Sequence, residues 1–97
     1  MIELKDTVAL MNSADYKERF EAEYYQLETR YLKLKDMTEK WDKKTLNFEP
    51  TCPREIYNKQ LSHMYAYLLI LIDRATIENV HITIDEKIAD GISTTTN

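Results

Sequence analysis

Tyrosine and arginine are the residues through which this chain could do chemistry. Seven tyrosines stand among 97 residues, each an apolar ring carrying a hydroxyl that needs a partner. Arg19, Arg30, Arg54 and Arg74 carry planar guanidinium forks that suit phosphate or carboxylate oxygens two at a time. Rings that stack on bases and forks that take phosphates are one way to hold an anionic nucleotide. Tyr and Arg also dominate protein interfaces, and ordinary interface or surface positions account for most of them as simply.

The other reactive types do not converge. His63 lies on an apolar stripe far from His81 and reads as a partly buried, hydrogen-bonded side chain, because a zinc site needs three or four ligands close together. Cys52 stands alone beside Pro53 and reads as a small cap or core residue, reactive only if a helix start lowers its pKa and solvent reaches it. No HExxH, CxxC, GxSxG, Walker A or GxGxxG pattern occurs, and with Gly91 as the one glycine no phosphate-cradling loop can be built. This inventory predicts a binding protein rather than an enzyme, with no catalytic residues, metal or cofactor.

Composition narrows the class further. One glycine and two prolines argue against a turn-rich β sandwich or barrel and favour helices. A formal charge of −4 and a pI near 5.1 give no global positive field to draw the chain onto duplex nucleic acid or an anionic membrane. Met1 to Leu10 lack the basic and apolar regions of a signal peptide, and a single cysteine allows no intrachain disulfide. Both point to a reducing cytoplasm.

The elements that must position the tyrosines and arginines follow from spacing. The whole chain reads as one helical domain, with residues 1–11 an N-terminal extension of unassigned structure. Asn12 and Ser13 are good N-cap residues for a first helix over 12–42, with Asp15 in its first turn. Phe20, Tyr24, Leu27, Tyr31 and Leu34 recur at alternating steps of four and three, a heptad seam that Trp41 rejoins. A connector over 43–52 carries Leu46 and Phe48, expected to plug the closed end. Pro53 suits the first position of a second helix over 53–79, whose seam is Tyr57, Leu61, Met64, Leu68, Leu71 and Ala75. A short connector makes the pair antiparallel. Asn79 suits the left-handed end of that helix.

In the tail, 80–97, Val80, Ile82 and Ile84 alternate with polar residues in the pattern of a short strand. Asp85 to Asp90 suit one further helical turn around Ile88, and Gly91 to Asn97 should fray.

Antiparallel pairing about the connector makes residue numbers across the hairpin sum to roughly 95. Tyr16, Arg19 and Arg74 then gather at the open end, and Arg30 falls near Tyr65. These five are the candidate ligand-binding residues, in pockets shared between subunits. Subunits enter because Met64 to Ile72 is an unbroken apolar run, far too short to span a membrane yet greasy on every side. One partner helix cannot cover it. A second stripe of Ile56, His63, Tyr67, Ile70 and Ile77 supplies another contact face, so an oligomeric bundle is expected, with Met64, Tyr67, Leu68, Ile70 and Leu71 at the interface.

The series Tyr16-Lys17-Glu18-Arg19-Phe20, Ala22-Glu23-Tyr24, Leu27, Arg30-Tyr31 and Leu34, then Thr51-Cys52-Pro53, Gln60-Leu61, Met64, Tyr67-Leu68, Leu71 and Arg74-Ala75, resembles a family of small helical-hairpin proteins. These are encoded by phages and prophages of Gram-positive bacteria and by crAss-like phages, and the likeness covers about residues 11–82. Met1 to Leu10 and Asp85 to Asn97 depart from it. The resemblance implies a phage accessory protein acting in the host cytoplasm. By architecture such proteins are similar to oligomeric sponges for cyclic-nucleotide or ADP-ribose immune signals, and to anti-CRISPR-like inhibitors that bind a host defence protein. The first comparison implies sequestration of a small anionic nucleotide; the second, a non-enzymatic inhibitor or adaptor.

Overall fold

Local side-chain chemistry sets where the long helices begin and end. A computed structural model of the chain describes residues 2–95. It contains a 3-10 turn, Leu4–Thr7, and four helices: α1 Val8–Met11, α2 Tyr16–Asp42, α3 Arg54–Glu78 and α4 Glu86–Thr95. Asp15 is extended and its carboxylate accepts the Lys17 N–H at 2.9 Å, satisfying one of the free donors at the start of α2. Asn12 and Ser13 do not cap that helix. The Asn12 side chain donates to the Val8 carbonyl at 3.1 Å, and the Ser13 hydroxyl accepts the Asp15 N–H at 3.0 Å. Both bind nearby backbone, which separates α1 from α2.

The far end of α2 closes on Lys44, which takes a left-handed φ of 61°. Its N–H reaches the Trp41 carbonyl at 3.0 Å and the Thr45 N–H reaches Lys40 at 2.9 Å, the two bonds of a Schellman turn. Pro53 precedes α3, and Asn79 ends it at φ 59° with the Val80 N–H on the Ala75 carbonyl at 2.9 Å. Val80 is buried next to that turn.

The chain is all-α, and α2 packs antiparallel on α3. Ring contacts mark the register along the hairpin. Trp41 meets Tyr57 at 6.0 Å, Tyr31 meets Tyr65 at 5.8 Å, and the Arg74 guanidinium lies 5.0 Å from the Phe20 ring. Phe20, Tyr24 and Tyr31 of the first seam are buried against Leu68, Leu71 and Ala75 of the second. The closed end is not plugged as Leu46 and Phe48 suggested: Leu46 is half-buried and Phe48 exposed. Instead Arg54 sets its fork on Asp42, Nε to Oδ1 at 3.1 Å and Nη2 to Oδ2 at 3.0 Å. A bidentate pair holds that end where a lone exposed aromatic does not.

Two flanking pieces complete the core. The N-terminal turn lies on α2, where Gln26 Nε2 donates to the buried Thr7 hydroxyl at 2.9 Å and the Thr29 hydroxyl donates to the Ile2 carbonyl at 2.5 Å. Next to it, residues 80–85 form an irregular connector and not a strand; no strand occurs among the described residues. The amides a strand partner would have taken go to side chains of α2. The Tyr25 hydroxyl accepts the Thr83 N–H at 2.8 Å, and Glu28 Oε2 accepts the Asp85 N–H at 3.1 Å.

Beyond the connector, α4 is a full helix rather than one turn with a frayed end, and Ile88 is completely buried beneath it. Thr96 and Asn97, which were also expected to fray, lie outside the described residues. Gly91 faces Tyr65 so closely that a Cβ there would sit 2.7 Å from the Tyr65 hydroxyl. The chain's own tail therefore supplies part of the cover that the apolar run of α3 requires.

Candidate functional site

The open end of the hairpin gathers the aromatic and cationic groups of both long helices. Tyr16 opens α2, Phe20 lies one turn further along, and Arg74 stands one turn before Glu78, the final residue of α3. The Arg74 fork donates from Nε to Glu78 Oε2 at 2.8 Å and from Nη2 to the Tyr16 hydroxyl at 2.6 Å. That hydroxyl in turn donates to Glu78 Oε1 at 2.6 Å. Arg19 donates from Nη1 to the Ser13 carbonyl at 2.8 Å, and its guanidinium lies 6.0 Å from the Tyr16 ring. Lys17 reaches across from α2 to the Asn79 carbonyl at 2.9 Å, where a cation complements the negative end of α3.

Electrostatics follow from these contacts. The Arg74 fork, and after it the Tyr16 hydroxyl, hold the Glu78 carboxyl below its ordinary pKa. The bond to Glu78 raises the Tyr16 hydroxyl, which stays protonated at neutral pH, and raises Arg74. Chemically the corner offers an exposed ring for stacking, an exposed Arg19 with donors to spare, and an Arg74 whose charge Glu78 already balances. An incoming anion must compete with Glu78 for that fork.

Of the five residues singled out as ligand-binding, the fold brings Tyr16, Arg19 and Arg74 together and leaves two apart. Arg30 lies about 16 Å from Arg19 along the same helix at 1.5 Å per residue, exposed and without an ion pair among the described residues. Tyr65 is half-buried, its ring on Tyr31 and its hydroxyl against Gly91, so it faces the core and α4. Arg54, also a candidate for anion binding, is taken by Asp42.

Of the five residues assigned to contacts between copies, Leu68 and Leu71 are fully buried inside one chain and Met64 is half-buried against the same core. Tyr67 and Ile70 remain exposed. Glu78 was missed by reading the sequence for cations and aromatics. Its spacing of four from Arg74 on one helix was the available signal. The shallow groove between α2 and the start of α4 mixes Lys33 and Lys87 with Asp36 and Asp85 and has no consistent preference for anions.

Fold and corner together define a small all-α hairpin protein with an arginine–tyrosine cluster at its open end. Residues 14–77 match the Sequestin family model, and the chain belongs to the Sequestin family. The match spans α2, the connector and nearly all of α3, with Tyr16, Arg19, Arg30, Tyr65 and Arg74 inside it and Glu78 and α4 beyond it. No curated protein and no solved structure matched the chain. No described helix is long and apolar enough to cross a membrane.

Proposed function

We propose that this protein is a phage-encoded counter-defence module that sequesters a small anionic nucleotide-type immune signal, without converting it, in the host cytoplasm. The observation that carries the reading is the convergence of Tyr16, Arg19 and Arg74 at one corner of the hairpin. A base stacks on the exposed Tyr16 ring, and phosphate oxygens take the spare donors of Arg19 and replace Glu78 on the Arg74 fork. The family name speaks of sequestration, which supports binding as the activity. The corner is open on its outer side, and a second subunit closes it.

Titration calorimetry of the purified chain with cyclic dinucleotides and cyclic ADP-ribose isomers tests this. Binding is expected for one of these ligands, greatly weakened in Arg19→Ala and Arg74→Ala, with the ligand recovered intact after the protein is denatured. No binding by any ligand, unchanged affinity in both variants, or a chemically altered ligand overturns the reading. A second reading, a non-enzymatic inhibitor or adaptor on a host protein, is favoured by the net charge of −4. It expects indifference to nucleotides and co-purification with that host protein.

A further inference from the structure

Along α3 an apolar line recurs every seven residues on the face turned away from the core. Ile56, Ile70 and Ile77 are 43, 57 and 82% exposed, and exposed His63 fills the remaining position of the line. Lys59, Ala66 and Asp73, all exposed, run along one edge of this line; Gln60, Tyr67 and Arg74 run along the other. A seven-residue repeat keeps a seam facing one partner helix along its whole length.

We propose that this face pairs with the same face of a second copy, antiparallel, about a two-fold axis beside Ala66 and Tyr67. The inference deepens the reading of a pocket closed by a second subunit, yet it stands on the helix face alone. A two-fold axis across antiparallel helices sets like edges against each other in reversed order. Lys59 of each copy then faces Asp73 of the other, and Ala66 meets Ala66, a small contact that lets the axes approach closely. Ile56 lies opposite Ile77, and His63 opposite Ile70. On the other edge Tyr67 meets Tyr67, and Gln60 of one copy comes beside Arg74 of the other.

Charge suits this occupant. Parallel pairing about an axis along the helices sets unlike edges together and leaves Lys59 opposite Gln60, whereas antiparallel pairing gives each Lys59 the Asp73 of the other copy. The second copy also brings the Gln60 amide to the edge of the Tyr16–Arg74 corner, where it can hydrogen-bond a ligand held there.

Light scattering after size exclusion should give a dimer for the native chain and a monomer of unchanged helicity for Ile70→Glu, whose side chain is outside the core. Lys59→Glu should raise the dimer dissociation constant about ten-fold, because two symmetric contacts change sign, and adding Asp73→Lys should restore it. The two positions are about 21 Å apart on one helix, so restoration requires the second copy. In a Cys52→Ser background, Ala66→Cys should oxidise to a disulfide-linked dimer. A native monomer, a dimer that Ile70→Glu leaves intact, or no rescue by the double reversal overturns the proposal. Calorimetry reads the ligand separately: a dimer that binds no nucleotide supports this pairing and ends the sequestration reading, and a monomer that binds one does the opposite.

Discussion

Glu28 Oε2 accepts the backbone N–H of Asp85 at 3.1 Å, so a buried carboxylate in the middle of α2 holds the chain where α4 begins. The same oxygen accepts the Tyr24 hydroxyl at 2.8 Å. Burial, and next the bond to Glu28, push the Tyr24 hydroxyl far above its ordinary pKa, so it remains a donor. Asp85 itself accepts the Lys87 N–H at 2.9 Å, and the positive end of α4 suits both carboxylates. The tail is thus attached to the hairpin through one polar junction as well as through Ile88.

Removing that junction should cost stability. Glu28→Leu leaves the Tyr24 hydroxyl and the Asp85 amide without their acceptor, and a loss of about 1–3 kcal/mol per stranded donor is typical. Urea unfolding should show the drop, and hydrogen exchange should show α4 opening first. Glu28→Gln keeps an acceptor oxygen and should lose less. A Leu variant with an unchanged midpoint would show that the junction contributes nothing.

Lys44 holds a left-handed conformation that an L side chain adopts at a cost and glycine adopts freely. Lys44→Gly should therefore raise stability by about 0.5–1 kcal/mol, the gain from relieved strain exceeding the added freedom of the unfolded chain. Lys44→Ala keeps the Cβ and should show no such gain. Thermal melts of the two variants side by side decide it.

The approach of Gly91 to Tyr65 predicts a change of sign. Alanine within a helix is favoured over glycine by about 1 kcal/mol, but here its Cβ would meet the Tyr65 hydroxyl at 2.7 Å. Because Tyr65 also packs on Tyr31, its ring cannot simply swing aside, and Gly91→Ala should destabilise α4. In the Tyr65→Phe background the nearest ring atom is 3.4 Å away, and the same Gly91→Ala change should become neutral or stabilising. A double-mutant cycle with no coupling between the positions contradicts this contact.

Acid should loosen both ends of the hairpin. The Arg54 fork holds Asp42 below its ordinary pKa, and the Arg74 fork does the same for Glu78. Each carboxylate has its depressed pKa in the folded state, so its contribution is fully present above the unfolded pKa of about 4 and is lost as pH falls through the lower folded value. Stability measured from pH 7 downward should fall below about pH 4, with a shallower slope in a Glu78→Gln variant. An identical slope would mean that Glu78 is not linked to folding.

Periodicity, composition and charge in the sequence determined the all-α hairpin and its register, because a helix face and an antiparallel pairing are written in residues a few positions apart. Trp41 against Tyr57 and Phe20 against Arg74 follow from that register, as does the meeting of Tyr16, Arg19 and Arg74. Tertiary structure alone decided what became of residues 80–95. The alternation of Val80, Ile82 and Ile84 suits a strand, but a strand needs a second strand. The nearest acceptors were the Tyr25 hydroxyl and the Glu28 carboxylate, respectively 58 and 57 residues away in sequence from the amides they hold. It also decided that Leu68 and Leu71 are covered within one chain while Ile70 and Ile77 are not. Which side of an apolar helix remains exposed depends on where distant segments come to rest, and no local pattern encodes that.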